Sequence, residues 1–119
     1  MNAAELLEHC LRCSHSNVET PFGNETLVVK VAGKAFAFIP LDEERPQITL
    51  KAKPETVLEL QDRFEDATQA PYLNKQHWVR LYCDGRIPHP VVLQCISTSY
   101  DLVYAGLTKS LRQQLETRD

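Results

Sequence analysis

The chain has 119 residues, the usual size of a single domain, and its 43% hydrophobic and 24% charged residues are typical of a globular fold. A formal net charge of -3 argues against a protein that attracts nucleic acid through bulk positive charge. It is compatible with binding through a local basic patch. No apolar run approaches the ~20 residues of a transmembrane helix, and the first residues carry no secretory signal. We therefore expect one domain over residues 1–119, a cytoplasmic monomer with no membrane partner.

Apolar residues at helical spacing predict that the chain opens with an amphipathic helix over residues 3–13. Cys10 and Cys13 form a CxxC motif within it, a pattern that also occurs in zinc and redox sites. Both fall on the apolar side of the helix, and Cys83 and Cys95 are too far apart to complete a zinc site. We therefore expect these cysteines to be packed in the core, and we expect no metal and no cofactor.

A β-hairpin is predicted next, after a loop over residues 14–24. Residues 26–39 alternate in polarity and are predicted to form two antiparallel strands, joined by Ala32-Gly33. This two-residue connection is short enough to need a tight turn, in which glycine adopts positive φ without strain. In the second strand, Phe36 and Phe38 are expected to point into the core.

The middle of the chain predicts a third strand and a second helix. The strand covers Gln47–Lys51 and follows a solvated loop at residues 42–46. The helix opens at Pro54, since proline is tolerated in the first turn. Its buried stripe is predicted to consist of Val57, Leu60 and Phe64. Its outer face is predicted to carry four carboxylates, those of Glu55, Glu59, Asp62 and Asp66.

The segment over residues 72–83 contains the single tryptophan and predicts another strand. Two apolar residues, Val79 and Leu81, are expected in the core because they alternate with larger aromatic or basic ones. The outward positions are Trp78, Arg80 and Tyr82. A broadly apolar helix from Pro88 to about residue 107 and a short helix capped by Thr108 are predicted to follow.

These elements together indicate an α+β fold. The order helix, three strands, helix, strand, helix, helix is typical of a two-layer sandwich, in which an antiparallel sheet has its helices packed on one face. The other face of the sheet is then open to solvent and presents aromatic and basic side chains. We call it the open face, and it is the first candidate for a binding site.

Five short motifs in the same order resemble those of the MmcQ/YjbR family of small bacterial proteins. They are Pro21-Phe22-Gly23, V-A-G-K-A-F-A at residues 31–37, Leu50-Lys51 followed by Pro54-Glu55, N-K-Q-H-W at residues 74–78, and S-Y-D-L-V at residues 99–103. The resemblance implies a frataxin-like (CyaY-like) form of the two-layer fold. It also implies the family's usual description, a DNA-binding protein with a double wing, and no reaction. The chain departs from the family at residues 108–110, where Thr-Lys-Ser replaces a proline and two basic residues.

The main hypothesis is a DNA-binding module that uses the open face. Lysine and arginine side chains neutralise phosphates, and aromatic rings stack on bases. The candidate residues are Lys30, Lys34, Lys51, Asn74, Lys75, Trp78, Arg80 and Tyr82. An alternative explanation is that the lysines keep an exposed sheet face soluble and that Trp78 covers the rim of the core. For Asn74 we favour a local hydrogen bond that shapes its loop over contact with an adenine edge.

Two other functions are weighed against DNA binding. By analogy with frataxin, the acidic face of the second helix suggests a site for another protein or a hard cation, although a solvated helix face is the simpler explanation. An enzyme would draw on the polar residues His77, Asp84, Ser99 and Asp101. The sequence contains no nucleophile elbow, phosphate-binding loop or HExxH motif, so we expect a protein without catalytic activity.

Overall fold

The computed structural model describes residues 1–21, 23 and 25–117, and four helices and six strands lie in these ranges. In chain order they are α1 (Ala3–Leu11), β1 (Ser16–Glu19), β2 (Thr26–Val31), β3 (Lys34–Pro40), β4 (Gln47–Lys51), α2 (Pro54–Arg63), β5 (Ala67–Gln69), β6 (Trp78–Tyr82), α3 (His89–Ala105) and α4 (Lys109–Glu116). None of the helices in the described ranges has both the length and the hydropathy needed to cross a membrane.

The six strands form one antiparallel sheet in the order β1-β2-β3-β4-β6-β5. Helix α1 contacts β1, β2 and β3, and α3 contacts β2, β3 and β4. Buried apolar residues from the four helices and from one side of the sheet form a common core. The predicted α+β two-layer architecture is therefore confirmed, and the side of the sheet away from the helices is the open face.

The helices begin and end at residues that the sequence marks. Asn2 caps α1, since its side-chain oxygen accepts a hydrogen bond from the Glu5 amide at 2.9 Å while the Glu5 side chain accepts one from the Asn2 amide. Gly106 is the C-cap of α3, whose last helical residue is Ala105. Thr108 caps α4 by accepting a hydrogen bond from the amide of Leu111 at 3.2 Å, so the predicted cap is confirmed.

The two strands at the edges of the sheet were not predicted from the sequence. β1 lies within residues 14–24, which the sequence predicts as a loop, and β5 is a three-residue strand that follows α2. Most of β1 is exposed, so no apolar alternation marks it, and it is a strand because its backbone pairs with β2. Phe22 and Asn24, which belong to the same predicted loop, lie outside the described residues. The strand predicted over residues 72–83 is shorter, because regular pairing with β4 covers Trp78–Tyr82.

A β-bulge at Phe36 changes which side of β3 faces the core. The register between β2 and β3 shifts there by one residue, so Phe36 has no partner in β2. Phe36 and Ala37 are both fully buried. Phe38 lies on the open face, where its ring meets the Trp78 ring edge to face with 5.6 Å between the centroids. The expectation that Phe38 points into the core is therefore wrong.

The hydroxyl of Ser99 connects α3 to both strands beside this bulge. It donates to the carbonyl of Phe36 at 2.6 Å and accepts from the amide of Lys51 at 2.9 Å. Strands β3 and β4 pair at Ala37 and Leu50, and the next positions along the two strands are Phe36 and Lys51. The fully buried Ser99 therefore satisfies two backbone groups at the point where β3 and β4 separate.

Ser99→Ala should destabilise the protein strongly for so small a change. It leaves two backbone groups without their partner, and each such loss costs about 1–3 kcal/mol. We expect the free energy of unfolding, measured by urea denaturation, to fall by about 2–6 kcal/mol. The matched control is Ser97→Ala, an exposed position in the same helix, which should change it by less than about 0.5 kcal/mol. Similar small losses for both variants would contradict the bridging role.

Candidate binding face of the sheet

The alternation predicted for β6 is confirmed. Val79 and Leu81 are fully buried against the helices. The three residues of β6 that alternate with them are half-buried and lie on the open face, namely Trp78, Arg80 and Tyr82. The register with β4 gives three cross-strand pairs on this face: Lys51 with Trp78, Thr49 with Arg80, and Gln47 with Tyr82. Four of the candidate binding residues are thus neighbours on two adjacent strands.

Two further lysines of the predicted patch, Lys30 and Lys34, do not add free charge to this face. Lys30 lies on the open face, but its ammonium group forms an ion pair with the carboxylate of Glu19 in β1. Lys34 is exposed at the turn of the β2–β3 hairpin, as predicted, and pairs in register with Val31. Because the Val31 side chain is buried on the helix side of the sheet, the register places Lys34 on that side as well.

Asn74 and Lys75 belong to a turn that precedes β6. The side-chain oxygen of Asn74 accepts a hydrogen bond from the Gln76 amide at 2.8 Å, which is the local role favoured from the sequence. The carbonyl of His77 accepts from the amide of Ala52 at 3.0 Å. This bond holds the turn beside the end of β4, so the exposed Lys75 lies near the end of the strand that carries Lys51.

Arg45 is the centre of a polar cluster that the sequence prediction placed in a solvated loop. Its guanidinium group donates to both carboxylate oxygens of Asp84, at 2.7 and 2.8 Å, and to Asp66 at 2.9 Å. It also lies 4.2 Å from the centre of the Tyr82 ring, and the guanidinium of Arg80 lies 4.9 Å from the same ring. The hydrogen bond between Arg45 and Asp84 is the largest cause of two pKa shifts: it raises the pKa of Arg45 and lowers the pKa of Asp84.

The predicted acidic face of the second helix is smaller than expected. α2 ends at Arg63, and Asp66 lies beyond it with a side chain that is only 5% exposed because it is bonded to Arg45. The prediction that Asp66 belongs to this face is therefore wrong. Glu59 is 3.8 Å from the guanidinium of Arg63. No group of three or more His, Cys, Asp or Glu side chains in the described ranges is placed to hold a metal ion.

The four cysteines are free thiols. Cys10 and Cys83 are buried, and the loss of solvation raises the pKa of each thiol to about 12, so these two stay protonated and unreactive at neutral pH. Cys13 and Cys95 are half-buried, and burial raises their pKa as well. The expectation that the CxxC motif belongs to the packing of α1 agrees with the complete burial of Cys10.

The polar residues considered for catalysis are distributed over different elements. Ser99 is buried and bonded to the backbone of two strands, and Asp84 is bound by Arg45. Asp101 is exposed on α3, and His77 is exposed in the turn before β6. Of these residues, Ser99 and Asp84 have a clear structural role.

A groove of about 680 Å³ crosses the open face. Its floor is formed by residues of β2, β3, β4 and β6, and its rim by the loops on either side. The lining residues are Thr26, Phe38, Pro40, Glu43, Gln47, Thr49, Pro71, Tyr72, Leu73, Arg80 and Tyr82. Sequence reasoning identified Arg80 and Tyr82 and missed the others. The alternation of β4 carries a signal for Thr49, which falls opposite the buried Ile48 and Leu50.

Comparison with known proteins assigns the chain to a family. Residues 11–102 match the family model named YjbR. The chain belongs to the YjbR family. It is 28% identical over 115 residues to the uncharacterized protein YjbR of Escherichia coli K12, covering 97% of this chain and 98% of the relative. It is 33% identical over 89 residues to the uncharacterized protein YbdF of Escherichia coli O157:H7, covering 75% and 73%.

Solved structures support the same assignment. A crystal structure of the Deinococcus radiodurans protein DR2400, with a DUF419 domain, superposes with a TM-score of 0.87 at 31% identity and covers 97% of this chain and 88% of that one. A Pseudomonas syringae protein superposes with a TM-score of 0.71 at 19% identity, covering 86% and 98%, and shares the fold. The YjbR match extends from the end of α1 into α3 and includes every strand of the open face.

Asp84→Asn should make this YjbR-family protein less sensitive to acid. The Arg45 guanidinium holds the pKa of Asp84 below the ~3.9 of an unfolded aspartate, so the stability from this pair is present above about pH 4 and is lost as the pH falls through the folded pKa. Between about pH 6 and pH 3, the free energy of unfolding should fall less steeply for the variant than for the wild type. Urea denaturation at each pH measures this, with Asp42→Asn as the control at an exposed loop carboxylate. An unchanged slope in Asp84→Asn would refute the assignment.

Proposed function

We propose that this YjbR-family protein is a cytoplasmic, non-catalytic module that binds single-stranded nucleic acid on its open face. The observation that supports this best is a group of aromatic side chains next to cations on that face. Phe38 and Trp78 meet edge to face, and Lys51 is directly opposite Trp78. Proteins that bind single strands combine such rings, which stack on bases, with cations that follow the phosphates.

The rings on the open face are fixed by contacts within the protein. Phe38 and Trp78 pack against each other, and two guanidinium groups lie against the ring of Tyr82. Stacking of one base on an aromatic ring contributes about 1–3 kcal/mol. A side chain that is already ordered loses little conformational entropy on binding, so this entropy cost offsets less of the stacking free energy. Tyr72 adds a completely exposed ring at the border of the face.

The charges and shape of the open face favour a single strand over a duplex. Glu19 neutralises Lys30, which leaves Lys51, Arg80 and the neighbouring Lys75 to meet phosphates. Proteins that bind a duplex commonly neutralise about 6–10 phosphates, more than these three cations can reach. The four described helices pack into one core on the opposite side of the sheet, so none of them can enter a major groove that approaches the open face.

Trp78→Leu should weaken the binding of a short single-stranded oligonucleotide. Leucine keeps an apolar contact with Phe38 but has no aromatic surface for a base, and the loss of one stacking contact lowers affinity about fivefold or more. Fluorescence anisotropy of a labelled oligonucleotide of mixed sequence at low salt measures the dissociation constant. Leu58→Ala, at an exposed position on α2, is the control and should bind as the wild type does. No binding of any single strand by the wild type would refute the proposal.

Lys51→Gln should reduce the salt dependence of the same binding. Removing one phosphate contact to a single strand changes the slope of log K against log salt concentration by about 0.7. The matched control is Lys109→Gln, an equal change of charge at an exposed position in α4. The control should keep the wild-type slope. If both variants change the slope equally, the effect is one of net charge and the open face is not the binding surface.

A further inference from the structure

The groove on the open face has the size and the lining of a small-molecule site. Its volume of about 680 Å³ lies in the range of roughly 300–1,000 Å³ that is usual for such sites. We infer that the groove takes one nucleobase and leaves the phosphate attached to it outside. This inference rests on the function proposed above and adds a specific contact to it.

Two buried polar side chains on the floor of the groove lack a strong partner. Thr49 is 5% exposed, and its hydroxyl makes no hydrogen bond to any residue that the structure describes. Gln47 is 7% exposed, and its amide nitrogen makes one long bond of 3.5 Å to the Arg45 carbonyl. The Thr49 hydroxyl is not among the side-chain atoms that are both shielded from solvent and unpaired, so it reaches the solvent in the groove and is available to a ligand there. Both side chains line the groove, so a bound molecule is the natural partner for them.

The walls of the groove suit a flat ring. Phe38 and Tyr82 contribute aromatic surfaces from the sheet, and Tyr72 contributes one from the loop. Pro71 and Leu73 complete the apolar part of the loop side. A planar heteroaromatic ligand can stack on such surfaces while its edge reaches the polar floor, and this is how single-stranded bases are commonly held.

The charges of the lining select the base rather than the phosphate. The carboxylate of Glu43 belongs to the lining and would repel a phosphate. The Arg80 guanidinium uses Nε to donate to the Thr68 hydroxyl at 3.0 Å, and its other N–H groups and its charge stay available to a phosphate at the edge of the groove. Thr49 and Gln47 are neutral, and their hydroxyl and amide groups can both donate and accept hydrogen bonds. This combination matches the mixed donors and acceptors on the edge of a nucleobase.

Tyr72 is held at the rim in a backbone conformation that is unusual for its type. Its φ is 63°, in the left-handed region that glycine and asparagine adopt far more readily than a bulky residue. Packing in the core does not explain a tyrosine at this position, because its side chain is completely exposed. A role as the outer stacking surface of the groove accounts for an aromatic residue at this position.

The test is to titrate the protein separately with adenosine, guanosine, cytidine, uridine and ribose 5-phosphate. Binding is measured by calorimetry and by the change in Trp78 fluorescence. Trp78 contacts the groove residue Phe38, so a base in the groove should change its emission. We expect at least one nucleoside to bind and ribose 5-phosphate not to bind. Thr49→Val should weaken that nucleoside about threefold to tenfold through the loss of one hydrogen bond. Tyr72→Asn should weaken it without a loss of melting temperature, since asparagine tolerates the left-handed backbone.

Controls separate failure of the groove from failure of the proposed function. Thr56→Val, on α2 and away from the open face, should bind the nucleoside as the wild type does. If oligonucleotides bind and no nucleoside does, or if Thr49→Val and Tyr72→Asn both bind nucleoside normally, the groove inference is overturned and nucleic-acid binding stands. If nucleosides bind and no oligonucleotide does, the groove inference stands and the proposed nucleic-acid function fails.

Discussion

The hydrogen bonds of the Ser99 hydroxyl determine how the helix layer fits onto the sheet, and the open face depends on that fit. This hydroxyl satisfies a carbonyl of β3 and an amide of β4 where the two strands separate. The bulge at the same point allows Phe36 to pack against the ring of Tyr100 in α3, with 5.4 Å between the centroids. It also shifts the alternation of β3, so that Phe38 turns to the other side and meets Trp78. The aromatic pair of the open face is thus a consequence of the packing between the two layers.

Part of the positive charge near the open face is engaged within the protein. Arg45 binds two aspartates and Lys30 binds Glu19, so a count of basic residues overstates the positive potential available to a ligand. What the face offers instead is ordered aromatic surface and neutral polar groups such as Thr49. Recognition by stacking and by hydrogen bonds to base edges is compatible with the net charge of -3, whereas binding by bulk charge is not.

The elements that bury apolar residues at a regular spacing can be predicted from the sequence. The elements that form only because an adjacent strand pairs with their backbone cannot. α1, α3, β4 and β6 follow from apolar periodicity, and Thr108 follows from capping chemistry. The edge strands β1 and β5 form because their backbones pair with β2 and β6, which leaves little pattern in their side chains. Phe38 was assigned to the wrong face because a bulge has no simple sequence signal. Arg45 and Asp66 looked like solvated charges, since their contact joins residues that are 21 positions apart.

The central claim, that the open face is the binding surface, is tested most directly by mapping chemical shifts. A uniformly ¹⁵N-labelled sample of the full chain would be titrated with a short single-stranded oligonucleotide. We expect the largest shifts at the indole N–H of Trp78, in β4 and β6, and in the loop that carries Tyr72, with little change in α4. Shifts confined to the helix layer, or no shifts at any oligonucleotide concentration at low salt, would contradict the claim.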